Sequence, residues 1–592
     1  MDKNSAIGLT LIAFLLLAYF YFFSSPPVPP ESKPTLTEIT VPKKDSVVKK
    51  LEARVDSTTA KQYGNLSSFL SGKESFNTVE NNELKLTFSS HATLREVNLK
   101  NYKTYGQEPL FLAKDGNNSF ALNAIYEGRN IDLYQLNYQP EISKKGDTTE
   151  IIFTARVSES AYLKHIYSVP EKGFQIGYRI QAQGISLADK NINFAWVDFI
   201  PLVEKDITDS RNKTTINYFL SKGEYDGITE TSTEGRTLSE PTKWVAIRQK
   251  FFISAIFAKG QFTAGSIATS FNASDSSFVK KAEVNLSFPS AAITSKQAKF
   301  SYYFGPNDYK VTKEMPDSFS RNLYLGIPPM IWINKFVLVP VFTFLQRFIG
   351  NYGVIIILLV LLMKLLLAPL SYKSYMGMAK MKLLKPELDL IKEKNGDNMT
   401  QAQQDQMKLY QQAGVNPFSG CIPLLLQMPI LLAMFYLFPT SIDLRQQHFL
   451  WAEDLSTYDS ILDLPFTIPY YGAHVSLFVL LMTASQLVYT WQNNQISSVQ
   501  GPMKSMSYIM PVIFLFVLNS FSAGLSFYYF VSNLITFAQQ AIIKRFVDED
   551  KIKALMDENR KKAVTGTSKK SKFMSKIEDA MKASEEARKK KK

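Results

Sequence analysis

One lysine stands out as a residue that could do chemistry. Lys364 is the only charge within the apolar run 354–372. A lysine near the middle of a membrane-crossing helix costs on the order of 2.5–3.5 kcal/mol, so it must either snorkel to an interface or face a hydrated cavity. It sits about 12 residues from the outer start of its helix, or ~18 Å at helical rise. Snorkelling to the cytoplasmic interface would mean climbing over two turns of helix. Other polar residues sit in apolar runs too: Gln427 in 418–438, and Asn533, Thr536, Gln539 and Gln540 in 525–543. Singly, each reads as an interhelical hydrogen bond. Together with Lys364 they predict a polar groove. Met428, Tyr528 and Tyr529 lie beside it in sequence, and soft or amphipathic side chains suit contact with varied apolar segments. Taken one at a time, ordinary packing explains each of those three better. An intramembrane lysine can also serve as base for a serine nucleophile. Ser371, Ser485 and Ser532 are near enough in sequence, but no local motif marks them, and the chain reads as a non-enzyme.

Other chemistries find little footing. The four histidines, His91, His165, His448 and His474, and the single cysteine, Cys421, show no metal-ligand spacing. One cysteine allows no disulfide within the chain. There is no G-x-x-x-x-G-K-[ST] loop and no G-x-G-x-x-G opening a helix, so neither a nucleotide nor any other cofactor is predicted. The net charge of +14 points to an anionic partner (acidic lipid, RNA or an acidic protein) or to the lysine and arginine bias of cytoplasmic loops.

The elements that must position these residues follow from composition. A mean hydropathy of −0.08 averages two populations, apolar blocks and charged blocks. The run 7–23 lacks an A-x-A-like site and is followed by Pro26 and Pro27, which predicts an uncleaved anchor over 1–23. Residues 24–62 read as an extended linker. Alternating stretches such as 84–88, 151–157 and 174–180 predict an antiparallel β-sandwich over 63–325. Residues 326–350, broken by prolines and amphipathic, predict an interfacial helix. Five further runs, 354–372, 418–438, 473–491, 506–521 and 525–543, bring the expected spans to six and define a helical core over 351–543. Lysines collect in 373–417 and acids in 439–472, which places the former loop and both termini in the cytoplasm, and the β domain and acidic loop opposite. Amphipathic spacing on both sides of Asn395-Gly396-Asp397-Asn398 predicts a helical hairpin within 373–417. The tail, 544–592, carries seventeen Lys or Arg against nine Asp or Glu. It reads as helix near the last span and disordered beyond. The fold class is a polytopic α-helical membrane protein with six transmembrane helices and an extracytoplasmic antiparallel β-sandwich.

Several motifs within 350–543 carry a resemblance. They are Gly350-Asn351-Tyr352-Gly353, Ala368-Pro369-Leu370, Met378-Ala379-Lys380-Met381, Asn416-Pro417, Gly420-Cys421-Ile422-Pro423-Leu424, Gln427-Met428-Pro429-Ile430, Ser522-Ala523-Gly524-Leu525 and Tyr528-Tyr529-Phe530-Val531-Ser532-Asn533-Leu534. The sequence resembles the YidC/Oxa/Alb family of membrane protein insertases, in its bacterial form with a large periplasmic domain. The resemblance implies a groove open to cytosol and lipid, with Lys364 as its lone cation and Gln427, Asn533 and Thr536 as polar lining. It implies substrate-helix contact at Met428, Tyr528 and Tyr529. The family's usual cation is arginine; lysine, unlike arginine, can lose its proton. The implied partners are nascent membrane proteins, the Sec translocon, signal-recognition components, anionic lipids, and ribosomes met through the hairpin and basic tail. The implied location is the inner membrane of a Gram-negative bacterium. A solute transporter or channel and a periplasmic scaffold are the alternatives; no internal repeat supports the former.

Overall fold

The computed structural model describes residues 57–564 apart from 189, 397, 417–421, 470 and 497–501. The anchor expected at 1–23, most of the linker, Cys421 and residues 565–592 lie outside the described residues. The chain divides into two units, Met1–Leu323 and Tyr324–Lys592.

The first unit is built from strands whose alternation sets their faces. In Leu84–Ser89, Leu84, Leu86 and Phe88 are buried while Lys85 is exposed. The linker's last residues are helical, Ser57–Tyr63. All strand pairs are antiparallel, in sheets of four, nine and six strands. The nine-stranded sheet runs Tyr225–Gly227, Thr215–Leu220, Thr242–Arg248, Phe252–Phe262, Lys299–Pro306, Gln175–Gln183, Tyr162–Pro170, Thr148–Arg156, Gln139–Lys145. The six-stranded sheet runs Glu234–Leu238, Ala264–Ser270, Lys281–Pro289, Asn191–Phe199, Asn118–Tyr126, Arg129–Asp132. Aromatic rings join these two sheets face to face: Phe288 meets Phe300 with centroids 4.9 Å apart, and Trp196 meets Phe304 at 6.3 Å. Such pairs add specific geometry to the burial that drives sheet packing.

Two titratable groups sit inside this unit. His165 is fully buried, with Nδ1 2.8 Å from the Tyr178 hydroxyl and Nε2 3.0 Å from that of Tyr138. Burial pushes its pKa down to about 3, so it is neutral. Asp198 is 1% exposed, and neither carboxyl oxygen has a hydrogen-bond partner. Burial pushes its pKa up to about 8.

The second unit is helical: α1 (Pro328–Gln346), α2 (Tyr352–Leu366), α3 (Ala368–Leu383), α4 (Lys385–Asn395), α5 (Met399–Ala413), α6 (Ile422–Leu437), α7 (Leu477–Ile496), α8 (Pro502–Leu518), α9 (Ala523–Phe546) and α10 (Glu549–Val564). α1 has a π-helical middle, Asn334–Leu338, and exposes Trp332, Phe336 and Phe344. Its buried Asn334 donates to the carbonyls of Leu325 and Ala433, at 2.9 and 3.0 Å, tying α1 to α6.

Two features depart from the expected spans. The run 354–372 is not one straight helix: α2 and α3 meet at 63°. Pro369, in the first turn of α3, has no N–H to return to the preceding turn, and its ring clashes with the carbonyl four residues back. Helix length and composition also do not establish six spans. Among the described residues α1 alone is long and apolar enough to cross a bilayer by itself, with the bent α2–α3 pair as a second if it counts as one span. The apolar parts of α6 and α8 are shorter, and the 20- and 24-residue helices α7 and α9 are interrupted by Asn, Gln and Ser. Gly353 of α2 packs where a Cβ would overlap the Phe449 ring, so only glycine fits without displacing it.

Candidate functional site

Helical phase puts Lys364 on the inner face of α2. Ile356, Leu359, Val360 and Met363 are buried with it, while Leu361, Leu362, Leu365 and Leu366 are exposed. Lys364 itself is 6% exposed. Its Nζ donates to Gln427 Oε1 on α6 at 3.2 Å and to Thr536 Oγ1 on α9 at 2.9 Å. Thr536 in turn donates to the Ser532 carbonyl at 2.6 Å, so its oxygen is oriented by its own helix. Gln539 Nε2, one turn on, reaches the Lys364 carbonyl at 3.4 Å. Three helices thus meet at one ammonium, and two neutral oxygens stand in for its water.

An ammonium carries three N–H donors. Two are used here, and among the described residues no carboxylate faces the group. The result is a buried ammonium with no counter-ion among the described residues, which is costly unless something else neutralises it.

Asn533 does not join this cluster. It donates to Ser485 Oγ on α7 at 3.0 Å, and Ser485 donates to the Met482 carbonyl at 2.8 Å. The polar positions of α9 therefore split between two neighbours, Thr536 and Gln539 toward α2 and Asn533 toward α7. The Ser485 hydroxyl is engaged with Asn533 and Met482 rather than with Lys364. Of the three proposed substrate contacts, Met428 is 43% exposed. Tyr528 is buried edge-on against Phe438, with centroids 6.0 Å apart. Tyr529 is half-buried against Val479, Met482 and Leu518.

A second polar cluster lies at the other end of α7 and α9. Asp459 caps α7: its Oδ2 accepts from the Leu477 and Phe478 amides at 2.9 and 3.1 Å and from Trp451 Nε1 at 2.8 Å, and its Oδ1 from the Ser476 hydroxyl. Asn519 is fully buried. It accepts from the Ser476 amide at 3.1 Å and donates to the Tyr471 and His474 carbonyls at 2.9 and 2.7 Å. His474 Nε2 donates back to the Asn519 carbonyl at 2.9 Å. Gly524 lets the start of α9 close on the Leu455 carbonyl. Sequence reasoning missed these residues. The available signal was Asn519, a polar side chain inside the short apolar run 506–521; Asp459 was counted only as loop charge.

An antiparallel β unit and an apolar helical unit with a buried lysine make a two-part chain, and comparison with known proteins names its kind. Residues 77–339 match the YidC periplasmic domain and residues 344–551 the 60Kd inner membrane protein family. A membrane protein insertase YidC from Amoebophilus asiaticus (strain 5a2) is 43% identical over 595 residues, 99% of either chain. Another, from Cytophaga hutchinsonii, is 43% identical over 612 residues, 99% of this chain and 98% of that one. A solved active YidC insertase is 18% identical, covering 80% of this chain and 93% of that one, with a TM-score of 0.33. The chain belongs to the YidC family of membrane protein insertases.

Proposed function

We propose that this chain inserts and assembles integral membrane proteins, and that Lys364 acts by offering its charge to acidic segments of the incoming polypeptide. The observation that carries this is the buried ammonium with two neutral acceptors and no described counter-ion. A substrate carboxylate would supply the missing charge, in surroundings dry enough for the attraction to count. Gln427, Thr536 and Asn533 line a polar groove that opens as a substrate enters, and Met428, Tyr528 and Tyr529 meet its apolar helix.

Magnitudes support a process without nucleotide. A span of ~20 apolar residues gains roughly 6–12 kcal/mol in the bilayer, at 0.3–0.6 kcal/mol per residue. The barrier is moving polar flanks through hydrocarbon, where each unsatisfied backbone group costs several kcal/mol. A polar groove lowers it.

The same reading has six spans, both termini in the cytoplasm, the β domain and residues 439–472 on the periplasmic side, and a Gram-negative inner membrane as its site. The lysines of 373–417 and the acids of 439–472 support that orientation. Nascent membrane proteins are the substrates. Ribosomes, signal-recognition components, the Sec translocon and anionic lipids are the partners, with the excess of cations in the hairpin and tail as support.

The test is a depletion strain rescued by Lys364→Arg and Lys364→Ala, scored on substrates with neutral and acidic translocated tails. Arginine should rescue both, and alanine should lose the acidic-tailed substrate by ten-fold or more. Full rescue by alanine on both would overturn the role of the charge.

A further inference from the structure

Between α6 and α7 the chain forms a β-hairpin, Leu462–Ile468 paired with Gly472–Val475. Residues 460–475 carry one charged side chain, Asp463, which accepts from the Ser460 hydroxyl at 2.6 Å. The preceding acids Asp454 and Asp459 are buried as caps: Asp454 accepts from the Ser456 amide at 2.7 Å, and Asp459 holds the start of α7. What the β-hairpin shows to its surroundings is apolar. Leu462 is 57% and Phe466 61% exposed, with Ile461 exposed beside them. The base of the β-hairpin is fixed. Val475 leads within two residues into α7, and the Asn519 side chain, just after α8, holds the Tyr471 and His474 carbonyls. Tyr471 also meets Phe516 of α8 edge-on, with centroids 5.5 Å apart. Phe516 belongs to an exposed apolar strip on α8 with Ile509 and Val512. Through Tyr471, the strip and the β-hairpin form one continuous surface.

We infer that this β-hairpin rests on the outer leaflet of the bilayer, with Leu462 and Phe466 reaching past the headgroups, and anchors the outer ends of α7 and α8. The inference rests on the reading that α7 and α8 cross the membrane. In that reading the exposed strip on α8 faces lipid, and the apolar surface continues from it onto the β-hairpin. A two-stranded hairpin has open edges whose backbone groups need water, so its backbone belongs at headgroup level and only side chains go deeper. Addition of a protein strand to its edge is disfavoured: Pro465 has no N–H to offer, and the register shifts between Asp463 and Ile468. Residues 460–475 include no Lys or Arg to attract acidic headgroups, so the contact is an apolar one.

The experiment uses the full chain in phosphatidylcholine vesicles, with a fluorescent label at a single introduced cysteine and Cys421→Ser as background. Phe466→Cys and Leu462→Cys are the test positions; both side chains are more than half exposed, so neither change removes a buried contact. Phe516→Cys is the reference for α8, and Lys172→Cys, on an exposed turn of the β domain, the reference for water. Lipid spin-labelled just below the headgroup should quench both test labels at least three-fold more than the label at position 172, and aqueous iodide should give the reverse order. Adding phosphatidylglycerol should change either result less than two-fold. Quenching by lipid only when phosphatidylglycerol is present would overturn the apolar contact. Iodide quenching equal to that at position 172, with lipid quenching kept at position 516, would overturn the β-hairpin's contact alone. Iodide quenching at position 516 as well would reject the membrane reading of α8, and the contact with it. Protection from both quenchers would show that protein covers the β-hairpin, and would overturn the lipid assignment.

Discussion

Lys364 and Thr536 are 172 positions apart in the chain and 2.9 Å apart in the fold. Their contact closes α2 onto α9. Hydrogen bonds to a charged group contribute about 1.5–3 kcal/mol. Thr536→Val should therefore lower the thermal midpoint in detergent and reduce insertion several-fold, while Thr536→Ser should keep both near the parent values. Equal behaviour of the two variants would show that the hydroxyl is not the relevant group.

Gly353 is a packing requirement. Gly353→Ala pushes a methyl into the Phe449 ring, and overpacking of this kind costs about 1–3 kcal/mol. Combining it with Phe449→Leu should recover part of the loss. A double-mutant cycle on thermal unfolding measures the coupling, and additive effects would argue against direct contact.

Asp459 is predicted to hold the α7 start in place. Asp459→Ala strips the acceptor from two amides, an indole and a hydroxyl. Losing a cap alone costs about 0.5–2 kcal/mol, and stranding buried donors adds to it. Asp459→Asn keeps one acceptor oxygen and should fall between the parent and alanine. Hydrogen exchange at Leu477 and Phe478 reads this directly.

Asp198 gives the β domain a pH dependence. In the unfolded chain its carboxyl ionises near the ordinary value of 3.8; in the fold it keeps its proton until about pH 8. Between those values the folded form binds more protons, so this contribution to stability is full below pH 4 and is lost as pH rises through 8. The slope is on the order of 1.4 kcal/mol per pH unit. His165, held neutral down to about pH 3, has the opposite sign and acts below pH 6.5. Lys213 and Lys280, each lowered by burial to about 8, also titrate near the top of the range from 6.5 to 8, so the difference between the parent and Asp198→Asn is what isolates Asp198 there. Asp198→Asn should flatten the fall of the β-domain melting midpoint there, and an unaltered slope would sink the assignment.

The β domain should be dispensable for the insertion step. The proposed groove is built wholly within residues 324–592. A reconstituted chain lacking 63–325 but keeping the first apolar run and the helical unit should still insert a single-span substrate. A folded form with no insertion at all would contradict this.

Much of the site was readable because a polar side chain in an apolar run is conspicuous. Lys364, Gln427 and Thr536 announce themselves in that way. Which partner each takes is not readable, because it depends on how three helices are rotated about their axes. Asn533 and Thr536 are three apart on α9, close enough to share a face, yet they reach different helices. The strand alternation of 84–88 marks buried and exposed faces, while the order of nine strands in a sheet depends on contacts far apart in sequence. The bend at Pro369 was hidden because apolarity continues through it. Asp459 was hidden because an acid in a loop looks like solvated charge until the helix it caps is in place.

The separation of Lys364 from its partners along the chain has a consequence for how the molecule is made. Gln427 emerges 63 residues after Lys364, and Thr536 after 172. At the usual 5–20 residues per second of synthesis, the second acceptor arrives roughly ten to thirty seconds after the lysine. In the membrane reading proposed above, α2 must enter lipid with its ammonium short of at least one of these acceptors throughout that interval, or wait at the surface until α6 and α9 are ready. Each new copy is thus itself a client with a polar segment to install, and Lys364→Leu should shorten its time of membrane integration even as it weakens insertion of acidic-tailed substrates.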